Sequence, residues 1–148
     1  MGYEVGGWYG SPVISGRGRP GQPPPPPPPA NLPELSEKDV FNVLAMIKRE
    51  FNIDENRPYL MGHSMGGAGT LFLGSKRTSE WAAIAAMTPA AFRIDDTRAA
   101  ILQKIKDAGV PVIVTQGDAD TLVPATNTRL WIDTMKELKL DYEYKETR

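Results

Sequence analysis

The segment Gly62-His63-Ser64-Met65-Gly66-Gly67 sets a serine between glycines at the spacing Gly-x-Ser-x-Gly. A serine at the tip of a tight turn from strand to helix takes a strained backbone, so its flanking positions are expected to lack side chains that would clash. Such a turn lifts the Ser64 hydroxyl clear of the sheet. It also aims the Met65 N–H, at a helix N-terminus, toward the place a substrate oxyanion would occupy. The chemistry would be nucleophilic attack on an acyl carbon. The plainer reading is a glycine-rich helix start, and its position between a strand signal and a helix signal favours the reactive turn.

A second candidate follows the apolar run Val110-Pro111-Val112-Ile113-Val114, in Gly117-Asp118-Ala119-Asp120-Thr121-Leu122-Val123-Pro124. Asp118 and Asp120 both qualify on spacing as a carboxylate for the same site, and each could equally be a turn aspartate or a cap on the next helix. A metal site or a pair of acids for glycoside chemistry would need a further ligand or acid at another strand end, and none is seen. The single histidine, His63, precedes Ser64 directly. In such a turn its side chain should diverge from that of Ser64 and pack beside the bend, which is a structural role.

The composition narrows the alternatives. The 148 residues hold 17 basic and 18 acidic side chains, one histidine and no cysteine. A net charge of −1 without a basic run offers nucleic acid or an anionic membrane little to hold, so neither is expected as a partner. Absence of cysteine excludes a disulfide framework, a thiolate metal site and a thiol nucleophile. No metal and no cofactor are expected. The longest apolar stretch, Trp81 to Met87, falls far short of the roughly 20 residues that span a bilayer. The first residues lack the basic and apolar regions of a signal peptide.

The elements that must position Ser64 and the aspartates are legible from periodicity. Ser36-Glu37-Lys38-Asp39 reads as a helix cap, with Val40, Leu44, Ile47 and Phe51 then forming one apolar face. Arg57 to Met61 predicts a short strand, Ser64 to about Lys76 a helix, and Ala82 to Met87 a buried strand. Thr97 to Ala108 predicts a helix ended by Gly109, and Val110 to Thr115 a strand buried on both faces. Pro124 to Leu138 predicts a helix and Asp141 to Lys145 an edge strand with outward charges. Alternation of this kind makes a parallel sheet, because parallel neighbours need helical crossovers. The expected fold is α/β, with about four parallel strands and helices on both faces. In such sheets reactive groups gather just after the carboxyl ends of strands, where Ser64 and the two aspartates fall.

The segment 1–33 has a different composition from residues 34–148, which read as the domain. Ten of the 14 prolines lie in it, seven of them consecutive from Pro23 to Pro29. Those seven favour an extended left-handed helix about 20 Å long. This spacer is either a surface loop or a ligand for a polyproline-binding domain, and the second possibility would make the chain a non-catalytic scaffold that displays it.

Taken together, Tyr59 to Thr70, the Trp81 to Pro89 segment and Gln116 to Pro124 resemble the α/β-hydrolase fold, and within it the esterases and prolyl-oligopeptidase-like serine peptidases of bacteria. The resemblance covers about Leu32 to Arg148. It implies a serine hydrolase of small-molecule ester or peptide substrates, with Ser64 the nucleophile, Asp120 the triad acid and Met65 N–H one oxyanion donor. In that family the catalytic histidine follows the last strand, and earlier strands and a second oxyanion loop precede the elbow. The sequence is therefore expected to be the carboxyl-terminal part of such a sheet, truncated and without the catalytic histidine. The sheet edge left uncovered would invite self-association.

Overall fold

The computed structural model describes residues 30–148, and the Pro23 to Pro29 spacer lies outside the described residues. The chain divides into two compact units, one ending at Ile53 and the other running from Asp54 to Arg148.

The described part of the first unit is helix α1, Leu32–Glu50. It begins four residues before the Ser36 cap that the sequence suggests. Asn31 is the N-cap and a proline lies in the first two helical positions. Pro33 is suited to that place, because the N–H it lacks would have no helical partner there. Phe41 is the buried residue of α1, Val40, Leu44 and Ile47 are half-buried, and Phe51 is exposed. Phe51 leaves the predicted stripe because it is the C-cap, in extended conformation, and no longer follows the helical period.

The second unit is a four-stranded sheet in the order β1-β2-β3-β4, comprising Tyr59–His63, Ala83–Met87, Val112–Gly117 and Tyr142–Thr147. All three pairings are parallel. The crossovers are α2, Met65–Gly74, α3, Arg98–Asp107, and α4, Ala125–Leu138, with short 3₁₀ turns before and after β2. When strands add in sequence order and every crossover is right-handed, the crossover helices must share one face of the sheet. The burial agrees. Ile84 and Ala86 of β2 and Val112, Val114 and Gln116 of β3 are buried, and they alternate with more exposed neighbours. On the opposite face Tyr59, Met61 and Ile113 are exposed. The expected burial of β3 on both faces therefore holds for one face, since Ile113 keeps 40% of its surface while Val112 and Val114 keep almost none.

Each helix shows why its sequence sits where it does. Small residues make α2 buried almost all round, from Gly67 to Leu71 and again at Leu73 and Gly74. A Cβ on Gly74 would come within 2.8 Å of Ile84 Cδ1, so the missing side chain lets α2 lie close on β2. Helix α3 buries Ile101, Leu102 and Ile105 and closes at Gly109, whose φ of 67° is the left-handed conformation the sequence anticipated for a terminator. Helix α4 buries Ala125, Thr128, Trp131 and Met135 as one stripe. Strand β4 has Tyr142 and Tyr144 half-buried and Glu143 and Lys145 exposed and paired at 3.1 Å, the edge pattern read from the sequence. Arg129 of α4 ties this edge down through an ion pair to Glu146. No helix of the described residues is long and apolar enough to cross a membrane.

Candidate active site

Strand β1 runs directly into the bend that carries Ser64. Gly62 pairs with Ala86 and His63 with Met87, and the Ser64 N–H continues the ladder by donating to the Met87 carbonyl at 2.9 Å. The strand thus extends two residues beyond the stretch predicted from composition, and α2 begins at Met65 with no intervening loop. Ser64 has to turn the chain alone. Its φ is 56° and its ψ −116°, a combination that costs a side-chain-bearing residue on the order of 1–3 kcal/mol. Its carbonyl is held twice, by the N–H of Ala68 at 3.1 Å and that of Ala90 at 3.0 Å. The Ser64 hydroxyl caps no helix N–H, and Met65 opens α2, so its N–H has no carbonyl four residues back to meet. Ser64 is half-buried and Met65 exposed.

The close approaches at the bend are distributed differently from the symmetric expectation. A Cβ on Gly62 would collide with the Gly66 carbonyl and approach Thr70 Oγ1 at 2.9 Å, whereas a Cβ on Gly66 would meet nothing within 4 Å. The second constraint falls on Gly67, where a Cβ would lie 2.7 Å from the Met87 carbonyl oxygen and 3.0 Å from Pro89 Cα. The reason is that α2 rotates Gly66 outward and turns Gly67 onto the end of β2.

Asp120 belongs to the loop after β3. Its Oδ1 accepts the N–H of Leu122 at 2.8 Å and that of Val123 at 2.9 Å. Asp118 is exposed, with its backbone N–H bonded to the Thr147 carbonyl at 2.9 Å. The geometry separates two aspartates that spacing left equivalent, because only Asp120 is fixed by its side chain. Ser64 follows β1 and Asp120 follows β3, and the parallel order puts both on the carboxyl rim of one sheet with the end of β2 between them. Strands β1 and β3 are roughly 10 Å apart across β2.

The Asp120 carboxyl is held below its ordinary value of 3.8, first by the Val123 N–H and next by that of Leu122; partial burial opposes this and the charge of His63 adds to it. A carboxyl lowered in the folded state stabilises the fold above its unfolded value, and that contribution is lost as pH falls through the folded one. Glu146, lowered from 4.5 by Arg129 and then Tyr144, acts in the same sense. Urea titrations should therefore show stability falling as pH drops below about 4.5. Asp120→Asn keeps an acceptor oxygen but no charge, and it should make that fall shallower below about pH 3.8.

Residues that the sequence did not single out also shape the site. Thr88, after β2, has a φ of 44°, unusual for a β-branched residue, and its N–H bonds the Thr115 carbonyl at 2.7 Å. Ala90 holds the Ser64 carbonyl through its backbone, which no side-chain pattern could signal. Gln116, 2% exposed, donates from Nε2 to the carbonyls of Val123 at 2.9 Å and Gly117 at 3.1 Å, and its Oε1 accepts from Thr128 at 2.7 Å.

The Esterase family model matches residues 41–146, a span that includes Ser64 and Asp120. The chain belongs to the Esterase family. Among solved structures, this esterase-family chain is similar to a thermostable esterase, with 29% identity over 78% of this chain and 29% of that one and a TM-score of 0.63. It is also similar to the acylaminoacyl peptidase of Pyrococcus horikoshii, at 12% identity over 80% of this chain and 23% of that one, with a TM-score of 0.62. A fluorophosphonate-binding serine hydrolase of Staphylococcus aureus gives 15% identity, 74% and 54% coverage, and a TM-score of 0.61. The sheet is thus the parallel sheet of the α/β-hydrolase fold. The esterase-family chain spans between 23% and 54% of the length of these three. No curated protein matches it significantly.

Proposed function

We propose that this esterase-family chain carries the nucleophile and acid of a serine hydrolase acting on carboxylic esters or peptide bonds. The observation that supports this reading most is the Ser64 backbone, φ 56° and ψ −116°, at the mouth of α2 and on the same rim as a fixed carboxylate. Strain of that kind in a residue other than glycine persists only where the surroundings impose it, and it concentrates at reactive sites. In the proposed reaction the Ser64 oxygen attacks the acyl carbon while a base takes its proton. The Met65 N–H steadies the oxyanion, and the ester or peptide bond breaks as the alcohol or amine leaves with the proton held by the base. Water, giving its own proton to that base, then cleaves the acyl–Ser64 bond to release the acid and restore the serine. Asp120 orients the base and stabilises its protonated form.

The base is the part these 148 residues do not supply in the family's usual order. Their one histidine, His63, is a residue of β1 whose charge reaches Asp120. Its side chain is exposed and not packed beside the bend as the sequence suggested, and we propose that the histidine working on Ser64 comes from sequence beyond these residues. Free imidazole can stand in for it. With imidazole present, the chain should release p-nitrophenol from p-nitrophenyl acetate faster than its Ser64→Ala variant, after subtraction of the imidazole background. Equal rates in the two proteins would contradict Ser64 as nucleophile. A p-nitroanilide run in parallel separates ester from peptide preference.

A further inference from the structure

We infer that Gln116, locked by Thr128, is a positioning residue for Asp120; the inference rests on Asp120 being the acid of the site. The bonds form one line. The Thr128 hydroxyl, on α4, donates to Gln116 Oε1 at 2.7 Å. Gln116 Nε2, on β3, donates to the Val123 carbonyl at 2.9 Å and the Gly117 carbonyl at 3.1 Å, one bond at each end of the Asp120 loop. The Val123 N–H then donates to Asp120 Oδ1 at 2.9 Å, alongside that of Leu122 at 2.8 Å.

Burial makes this arrangement informative. Gln116 is 2% exposed and Thr128 0%, among apolar neighbours of β3 and α4 that include Val114 and Trp131. Burying an amide yields little net stability even when it is fully bonded, while apolar residues of the same size would serve the core as well. What the amide supplies is direction. Both of its N–H groups are committed to loop carbonyls, and its oxygen is fixed by a hydroxyl from a third element, so the amide cannot rotate without breaking a buried bond. The loop between Gly117 and Val123 is consequently tied at both ends. The peptide N–H that holds the carboxylate belongs to the residue whose carbonyl Gln116 holds.

Hydrogen exchange and carboxyl titration of the 148-residue chain test this. Gln116→Met keeps the length of the side chain and removes the donors. It should accelerate exchange at the Val123 and Leu122 amides roughly tenfold, the scale of one lost hydrogen bond. It should also raise the Asp120 titration point toward that of a free aspartate, with exchange in the middle of α3 and α4 unchanged. Thr128→Val should give the same pattern more weakly, and Thr128→Ser should restore it. Wild-type exchange and titration in Gln116→Met would overturn the inference. So would equal acceleration at Val123 and at core amides such as Ile105 and Trp131 in both variants, since the pair would then support the fold at large. These readouts do not involve Ser64 chemistry, so failure of the hydrolase reading appears only in the imidazole assay.

Discussion

Alanine at Gly62 should destabilise the second unit by about 3 kcal/mol or more, while alanine at Gly66 should leave stability unchanged or slightly improved. The motif treats the two glycines as equals; the packing does not. A methyl group on Gly62 collides with the Gly66 carbonyl, which is backbone at the first turn of α2 and cannot swing aside as a side chain would. Relief requires α2 to move off β1, and the Ser64 carbonyl bonds to Ala68 and Ala90 go with it. A methyl group on Gly66 points into open space, and in a helix it reduces the conformational freedom of the unfolded chain. Gly67→Ala should fall between them, because its methyl would press on the Met87 carbonyl at 2.7 Å. Urea denaturation of the three variants checks the order. Equal tolerance at Gly62 and Gly66 would mean that the bend is looser than its geometry implies.

Without added base, a fluorophosphonate should label the 148-residue chain no faster than it labels Ser64→Ala. Serine is a weak nucleophile until its proton is removed, and in subtilisin loss of the histidine alone costs about 10⁶-fold in turnover. The strained backbone and the Met65 N–H cannot replace that factor. In the proposed mechanism they position an oxygen and a developing charge, whereas proton removal needs a group of suitable pKa within reach. His63 provides the discriminating control. If the unassisted chain labels well and His63→Gln abolishes the labelling, the base is His63 and not a histidine from beyond these residues. If His63→Gln labels only at the Ser64→Ala rate, as the wild type should, His63 is not the base.

Much of this arrangement could be read from residue order because the relevant signals are local. The Gly62 to Gly67 spacing announced a sharp bend, and the alternation of helical and extended periods announced a parallel sheet. Together these imply that Ser64 and Asp120 share a rim. What stayed hidden depended on contacts between segments. Strand β3 begins after Pro111 and runs on to Gly117, so Gln116 lies inside the strand on its buried face, just past the predicted end at Thr115. Spacing left Asp118 and Asp120 equivalent and the family resemblance pointed to Asp120, but the Leu122 and Val123 N–H groups that fix its carboxylate carry no sequence signature. Gly67 took over the constraint expected of Gly66 because helix rotation, not motif spacing, decides which position meets β2. The start of α1 was misplaced by a polar run, Ser36 to Asp39, when Asn31 and Pro33 carried the stronger signal.

In the proposed function the Ser64 oxygen is the reactive atom of this chain. The most direct test is to treat the chain with a fluorophosphonate in the presence of imidazole and to locate the adduct by mass spectrometry. A single modified peptide is expected, carrying the group on Ser64, in an amount that rises with imidazole concentration. An adduct on Ser75, Ser79 or a tyrosine with Ser64 left unmodified, at every imidazole concentration, would contradict it.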